Sequence, residues 1–258
     1  EIMTNVLRRT VLFSAATGAA SVLFSTKASA VEKQYDPDIF AIEARMMRLS
    51  NRGSSLTESE KYGVLLATCS AQGLRDEAAE ITAEALIAGV KPLVLRESVY
   101  QTAPYVGLGR MKEALTGVNE AFRKAKVPLP LPSQTTVDDE NRLTKGIEVQ
   151  TALFGDNIAK MHREATESTR ALIVDDLSSF CFGDFFTRSG MSVKERELIV
   201  FAAVAALGGC ESQLRGHGVA NLKQGTSKQN LIDALQVCVP LNGFPRTLNA
   251  LSVLDLNN

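Results

Sequence analysis

Glycine and proline recur in this chain at a fixed separation, and that recurrence limits the fold more than any other feature. Placing Ala88-Gly89-Val90 over Gln224-Gly225-Thr226 sets an offset of 225 − 89 = 136 residues. The same offset carries Pro104 onto Pro240, Gly107 onto Gly243, Arg110 onto Arg246 and Ala114-Leu115 onto Ala250-Leu251. Upstream, Leu56-Thr57 falls on Met191-Ser192 at 135, so one residue has been gained or lost at the Gly208-Gly209 turn. Glycine ends helices and proline interrupts them, so shared positions of both mean that the same helix ends occur twice. The chain reads as two copies of one helical unit.

Within each copy the apolar residues follow a helical period, and no convincing stretch alternates with the period of a strand. Ile39, Ile42, Met46, Met47 and Leu49 predict an opening amphipathic helix that stops at Asn51-Arg52-Gly53. Thr57, with Glu60 three residues on, forms a capping box that starts a helix running to Gln72-Gly73. Further helices are expected over 76–88, from Pro92 until Pro104 closes it, and over 109–125. Val127-Pro128-Leu129-Pro130-Leu131-Pro132-Ser133 holds no helix, because alternating prolines remove donors and fix an extended backbone. Beyond it, 138–154 and 156–165 read as helices, then 172–180. An aromatic segment from Phe180 to Phe186 follows, whose phenylalanines read as core or contact residues. The expected organisation is a leader over 1–30, a first, degenerate repeat over 31–126, a Pro-rich linker over 127–137, and a second repeat over 138–258.

The leader is read from Arg8-Arg9, the short apolar run Val11 to Phe24, and Ala28-Ser29-Ala30. This is the order of a secretory signal peptide cut before Val31. The mature chain is then expected to be exported, periplasmic or extracellular, and not held in a membrane. Arg8-Arg9-Thr10-Val11-Leu12 also fits a twin-arginine pattern, which implies export in the folded state. A net charge of −1 and the absence of tryptophan and of any basic stripe argue against nucleic acid as a partner. Four scattered cysteines without a C-x-x-C pair, and two histidines, encode no metal site.

Candidate chemistry is confined to the second repeat. Cys210, Gln213 and His217 stand at i, i+3 and i+7 and share a face of one helix. Their counterparts in the first repeat are apolar where it matters: Leu74 for Cys210 and Ile81 for His217. The first repeat is therefore expected to supply a wall, a lid or an interface. Glu197 lies on the preceding helix, which must return through Gly208-Gly209 as a hairpin. Its axial distance from the turn differs from that of His217 by about 6 Å at 1.5 Å per residue. A direct hydrogen bond then needs a favourable crossing angle, and a bridging water serves equally. A carboxylate partner would fix the imidazole tautomer for proton transfer. Glu197 also fits a simpler role, as a first-turn carboxylate favoured by the helix dipole. Arg196 and Arg246 are the residues that would receive a substrate carboxylate. Arg246 has a counterpart, Arg110, in the empty repeat, which favours a structural role.

With Arg196-Glu197-Leu198, Ala205-Ala206-Leu207-Gly208-Gly209, His217 and Asn242-Gly243-Phe244-Pro245-Arg246, the run from Gly183 to Asn249 resembles the carboxymuconolactone decarboxylase family. Ala88-Gly89-Val90 and Ala103-Pro104-Tyr105-Val106-Gly107 are similar to the same unit, as is the segment from Lys145 to Gly155. The resemblance implies an all-α fold of two tandem repeats in an orthogonal helical bundle, assembled as a homo-oligomer. It implies a small-molecule substrate and, in one branch, decarboxylation of γ-carboxymuconolactone without cofactor, the motif glutamate and histidine acting as acid and base. Its other branch reduces peroxides with a C-x-x-C-x-x-x-H motif. Here Cys210 takes the first cysteine position and Gln213 the second, so a local dithiol is ruled out and this branch ranks second. The family pattern also expects an aromatic residue before Asn242-Gly243-Phe244, where this chain has Leu241, although Tyr105 is kept in the first repeat. A small-acid-binding protein without catalysis is the third reading.

Overall fold

Three capping boxes set the starts of the helices that carry most of the core. Thr57 with Glu60, Ser192 with Glu195, and Ser227 with Asn230 each exchange side chain and backbone hydrogen bonds, satisfying donors that a helix start leaves unpaired. The computed structural model describes residues 35–46, 48 and 52–255. In chain order the helices are α1 (Pro37–Met46), α2 (Glu58–Gln72), α3 (Arg75–Ile87), α4 (Pro92–Gln101), α5 (Ala103–Val106) and α6 (Leu108–Lys124). Then come α7 (Arg142–Phe154), α8 (Asn157–Glu164), α9 (Glu167–Arg170) and a helix wound at the wider π pitch, π1 (Ala171–Phe186). The chain ends with α10 (Val193–Leu207), α11 (Glu211–Lys223), α12 (Lys228–Asn242) and α13 (Phe244–Val253). Among the described residues there is no strand: the fold is all-α.

The element ends mostly follow the glycines. Gly73 closes α2 in the left-handed conformation, φ +72°, which a residue without Cβ adopts freely. Two expectations are corrected. Pro104 does not close the helix that starts at Pro92; α4 ends at Gln101, and Pro104 sits in the first turn of α5, where its missing N–H costs nothing. The aromatic segment is not separate from the helix before it, since π1 runs through Gly183 to Phe186. Gly183 is used for packing: a Cβ there would overlap the Arg142 carbonyl, and one on Gly146 would overlap that of Ser178. Through these two glycines α7 and π1 press backbone to backbone.

α2 and α10 lie at the centre and pack on each other, with α12 also against α2. Both are buried nearly all round, from Lys61 to Ala71 and from Arg196 to Ala206. A helix apolar on every side belongs inside a core, and side chains from both expected repeats enter one continuous core. The Pro-rich stretch runs as a strap along α4, where Arg96 donates to the Leu131 and Pro132 carbonyls at 3.0 and 2.7 Å. The opening helix contributes nothing buried: Ile39 and Ile42 are 57% and 46% exposed. Met47, Leu49 and Asn51, like the leader over 1–30, lie outside the described residues. Among the described residues, no helix is long and apolar enough to cross a membrane.

Candidate functional site

Gly208 and Gly209, both at φ +68°, turn the chain from α10 into α11. The hairpin brings Glu197, near the start of α10, against His217 on α11. Their contact is direct, with His217 Nδ1 2.9 Å from Glu197 Oε2, so no bridging water is needed. Asn221 staples the two helices beside it, its amide donating to the carbonyls of Glu197 and His217, both at 2.9 Å. Glu197 is fully buried and His217 nearly so. Among the described residues Glu197 Oε1 has no hydrogen-bond partner, so the imidazole is the side chain that pairs with this carboxylate. Burying a carboxylate is unfavourable unless it is paired. The arrangement therefore favours a tautomer with the proton on Nδ1 facing Glu197, and leaves Nε2 for a ligand.

The imidazole is held edge-on between two rings, Tyr105 of α5 at 5.2 Å and Phe154 of α7 at 5.4 Å between centroids. It opens on a cavity of about 370 Å³, a size suited to a small organic molecule. α10 contributes Val204 and Leu207 to the wall, α11 contributes Gln213 and His217, and Cys210 stands at the cap before α11. π1 supplies Leu177, Cys181 and Phe182, and α5 supplies Pro104 and Tyr105. The Cys181 thiol donates to the Tyr105 hydroxyl oxygen at 3.3 Å. Burial pushes the Cys181 thiol up to about 12, outweighing the opposing bond from Tyr105. It also pushes the Tyr105 phenol well above its ordinary range, helped by Cys181 and Glu197. Both groups are neutral hydrogen-bonding surfaces at neutral pH.

Of the residues singled out in the sequence, the structure gathers Glu197, His217, Gln213 and Cys210 here, with Gln213 exposed at the rim. It does not bring Arg196 or Arg246. Arg196 follows a different direction from Glu197 because successive helical residues point about 100° apart, and it is spent on a buried network. Its guanidinium donates to Gln101 Oε1 at 3.0 Å, to the carbonyls of Arg188 and Ser189 at 2.9 and 3.0 Å, and to Glu97 Oε2 at 3.4 Å. Arg246 is exposed and lies over Gly208 at the end of α10. Its counterpart Arg110 occupies the matching place at the end of α2, donating to the Ala71 carbonyl at 3.1 Å.

Two polar cavity residues escaped the sequence reading of the site. Cys181 sits in an apolar run and reads as core. Tyr105 did carry a signal: at the 136-residue offset it is aromatic where its counterpart is Leu241. The other histidine, His162, is elsewhere, with Nε2 3.2 Å from Ser178 Oγ, which itself donates to Gln150. The four cysteines are free thiols, and no cluster of His, Cys, Asp or Glu able to hold a metal ion is formed among the described residues.

The stretch that carries Glu197 and His217 is also the stretch that resembles known proteins. Residues 172–256, which hold π1 to α13 and so both Glu197 and His217, match the sequence model of the carboxymuconolactone decarboxylase family. A curated protein of Acinetobacter baylyi (strain ATCC 33305 / BD413 / ADP1) named 4-carboxymuconolactone decarboxylase is 27% identical over 119 residues. The match spans 46% of this chain and 88% of that protein. The stretch that carries the buried carboxylate–imidazole pair is thus similar to the carboxymuconolactone decarboxylase family.

Proposed function

We propose that the chain is a carbon acid/base enzyme that needs no cofactor, and that it decarboxylates a small unsaturated lactone or carboxylic acid. The observation that carries this reading is the buried His217 Nδ1 to Glu197 Oε2 contact of 2.9 Å, beside an apolar cavity of about 370 Å³. In the reaction the bond between the substrate carbon and its carboxylate breaks and CO₂ leaves. The electron pair stays behind, delocalised into the conjugated carbonyl as an enolate. The imidazolium of His217 gives its Nε2 proton to the carbon, and the ring regains a proton from solvent. Glu197 balances the charge of the ring while it holds two protons. An apolar wall of Val204, Leu207, Phe182 and Leu177 favours loss of a charged carboxylate as neutral CO₂. Gln213, at the rim, is placed to orient substrate oxygens.

Incubating the protein with 4-carboxymuconolactone and following its ultraviolet absorbance tests the reading. Turnover that disappears in His217→Ala supports it, and turnover that survives that change removes His217 from the chemistry. A thiol peroxidase is the second reading, favoured by the two thiols, Cys210 and Cys181, that line the same cavity. Peroxide would oxidise Cys210 to a sulfenic acid with release of water or alcohol, and an external thiol would reduce it. Peroxide consumption abolished by Cys210→Ser would establish that activity. Export directed by residues 1–30, and assembly into a homo-oligomer, belong to the same proposal. N-terminal sequencing of the exported protein and sedimentation measure them.

A further inference from the structure

The cavity has a second polar wall that the acid/base pair does not use. Tyr105 lies 5.2 Å from His217, edge-on at 82°, and its oxygen accepts the Cys181 thiol at 3.3 Å. With its oxygen serving as acceptor to Cys181, the hydroxyl keeps its own hydrogen for another acceptor. Among the described residues no lysine or arginine lines the cavity, so beside His217 a substrate oxygen that gains negative charge finds only neutral donors.

The internal offset gives an independent observation. Adding 136 carries Tyr105 onto Leu241 and Ile81 onto His217. The neighbours correspond as well: 72 + 135 = 207, and Gln72 donates to the Leu241 carbonyl at 2.9 Å just as Leu207 shares the cavity with Tyr105. At the positions one offset away the chain therefore has Leu241 and Ile81, where the cavity has Tyr105 and His217. The two polar groups stand together in the cavity, and both of their counterparts by offset are apolar, although each comes from a different half of the chain.

We propose that Tyr105 is a catalytic residue whose hydroxyl donates to the carbonyl oxygen on which negative charge develops, with Cys181 as the positioning residue that holds the hydroxyl. The first half of the chain thus completes the site of the second, and the substrates are carbon acids with a carbonyl conjugated to the reacting carbon. This rests on the acid/base reading above. A donor of this kind acts because the enolate oxygen is a stronger acceptor than the carbonyl it came from.

The test uses 4-nitrophenol at a pH where it is ionised, as a stable oxyanion with its own absorbance. The wild-type protein should bind the phenolate and shift its band to shorter wavelength. Tyr105→Phe keeps the ring against His217 and should weaken binding about ten- to a hundredfold, as expected for one hydrogen bond to a charged oxygen, and abolish the shift. Cys181→Ala should weaken binding severalfold, with Cys181→Ser, which restores an O–H donor, recovering most of it. Failure of the wild type to bind the phenolate, or equal binding by Tyr105→Phe, overturns the proposal. Should Tyr105→Phe not fold, a Cys181→Ser variant no better than Cys181→Ala overturns it as well. Tyr105-dependent phenolate binding without lactone turnover would leave the donor standing and remove the decarboxylase reading instead.

Discussion

Replacing Glu97 with glutamine should unsettle the whole molecule, because this fully buried carboxylate is shared by three guanidinium groups. Arg188 grips it with two bonds of 2.8 and 2.9 Å, Arg96 approaches to 3.3 Å and Arg196 to 3.4 Å. Burial opposes its ionisation, yet the bond from Arg188 and the charges of Arg188, Arg196 and Arg96 outweigh it and hold the carboxyl below its usual range. Glutamine fills the same volume but turns one acceptor into a donor facing guanidinium donors, and leaves the positive charges without their counter-ion. The arginines keep their bonds to the carbonyls of Leu131, Pro132, Arg188 and Ser189, which limits the damage. Breaking a buried pair of this kind costs about 3–5 kcal/mol, which lowers the melting temperature of a chain of this size by about 6–20 °C. Urea titration with linear extrapolation is the assay. The sign with pH is fixed: a carboxyl held low when folded contributes stability above its unfolded value of about 4.3 and loses it as pH falls through the folded one. Wild type and Glu97→Gln should therefore differ most at neutral pH and converge in acid. A loss below about 1 kcal/mol at pH 7, or one that stays the same in acid, would refute the reasoning.

Other expectations follow from the same geometry. Glu197→Gln should leave the protein folded and lower lactone turnover by about 10²-fold, the scale of a lost acid/base partner; stopped-flow or steady-state kinetics measure it. Glu84 has both oxygens buried without a hydrogen-bond partner among the described residues, and burial, with Glu80 nearby, pushes it up to about 8. Its folded state prefers the protonated form, so stability is full below about 4.3 and falls as pH rises toward 8. Glu84→Gln should then be neutral at pH 4 and stabilising by about 1–3 kcal/mol at pH 9, allowing for partial exposure, as read by thermal melts at both. Gly183→Ala should destabilise by about 2 kcal/mol or more, because its Cβ would meet the rigid Arg142 carbonyl; denaturant midpoints would show it.

Much of the fold was legible because helix ends are local events. A threonine with glutamate three residues on, or a glycine after an apolar run, acts on backbone donors within a turn, so α2 and α3 could be placed from residues that touch each other. The site was legible only where one helix held it: Cys210, Gln213 and His217 share a face by spacing alone. Arg196 misled because adjacency in sequence says nothing about direction on a helix, and its partners, Glu97 and Gln101, are almost a hundred residues away. Tyr105 is more remote still, 217 − 105 = 112 residues from His217, and is brought in by packing between the halves. The contact at Gly183 was not legible, since the need for close approach belongs to the partner helix, not to the glycine's neighbours.

The burial of α10 over nearly its whole length has a consequence for how the molecule breathes. Amides between Arg196 and Ala206 are enclosed by core on every side, so they should exchange with solvent water only when the entire fold opens. Glu197 is anchored in that slowest-exchanging stretch, while Gln213 and Cys210 belong to the short turn and rim, free to exchange through small local openings. Ligand entry can then proceed through motions that never loosen the carboxylate, and the buried place of Glu197 should last as long as the native state itself.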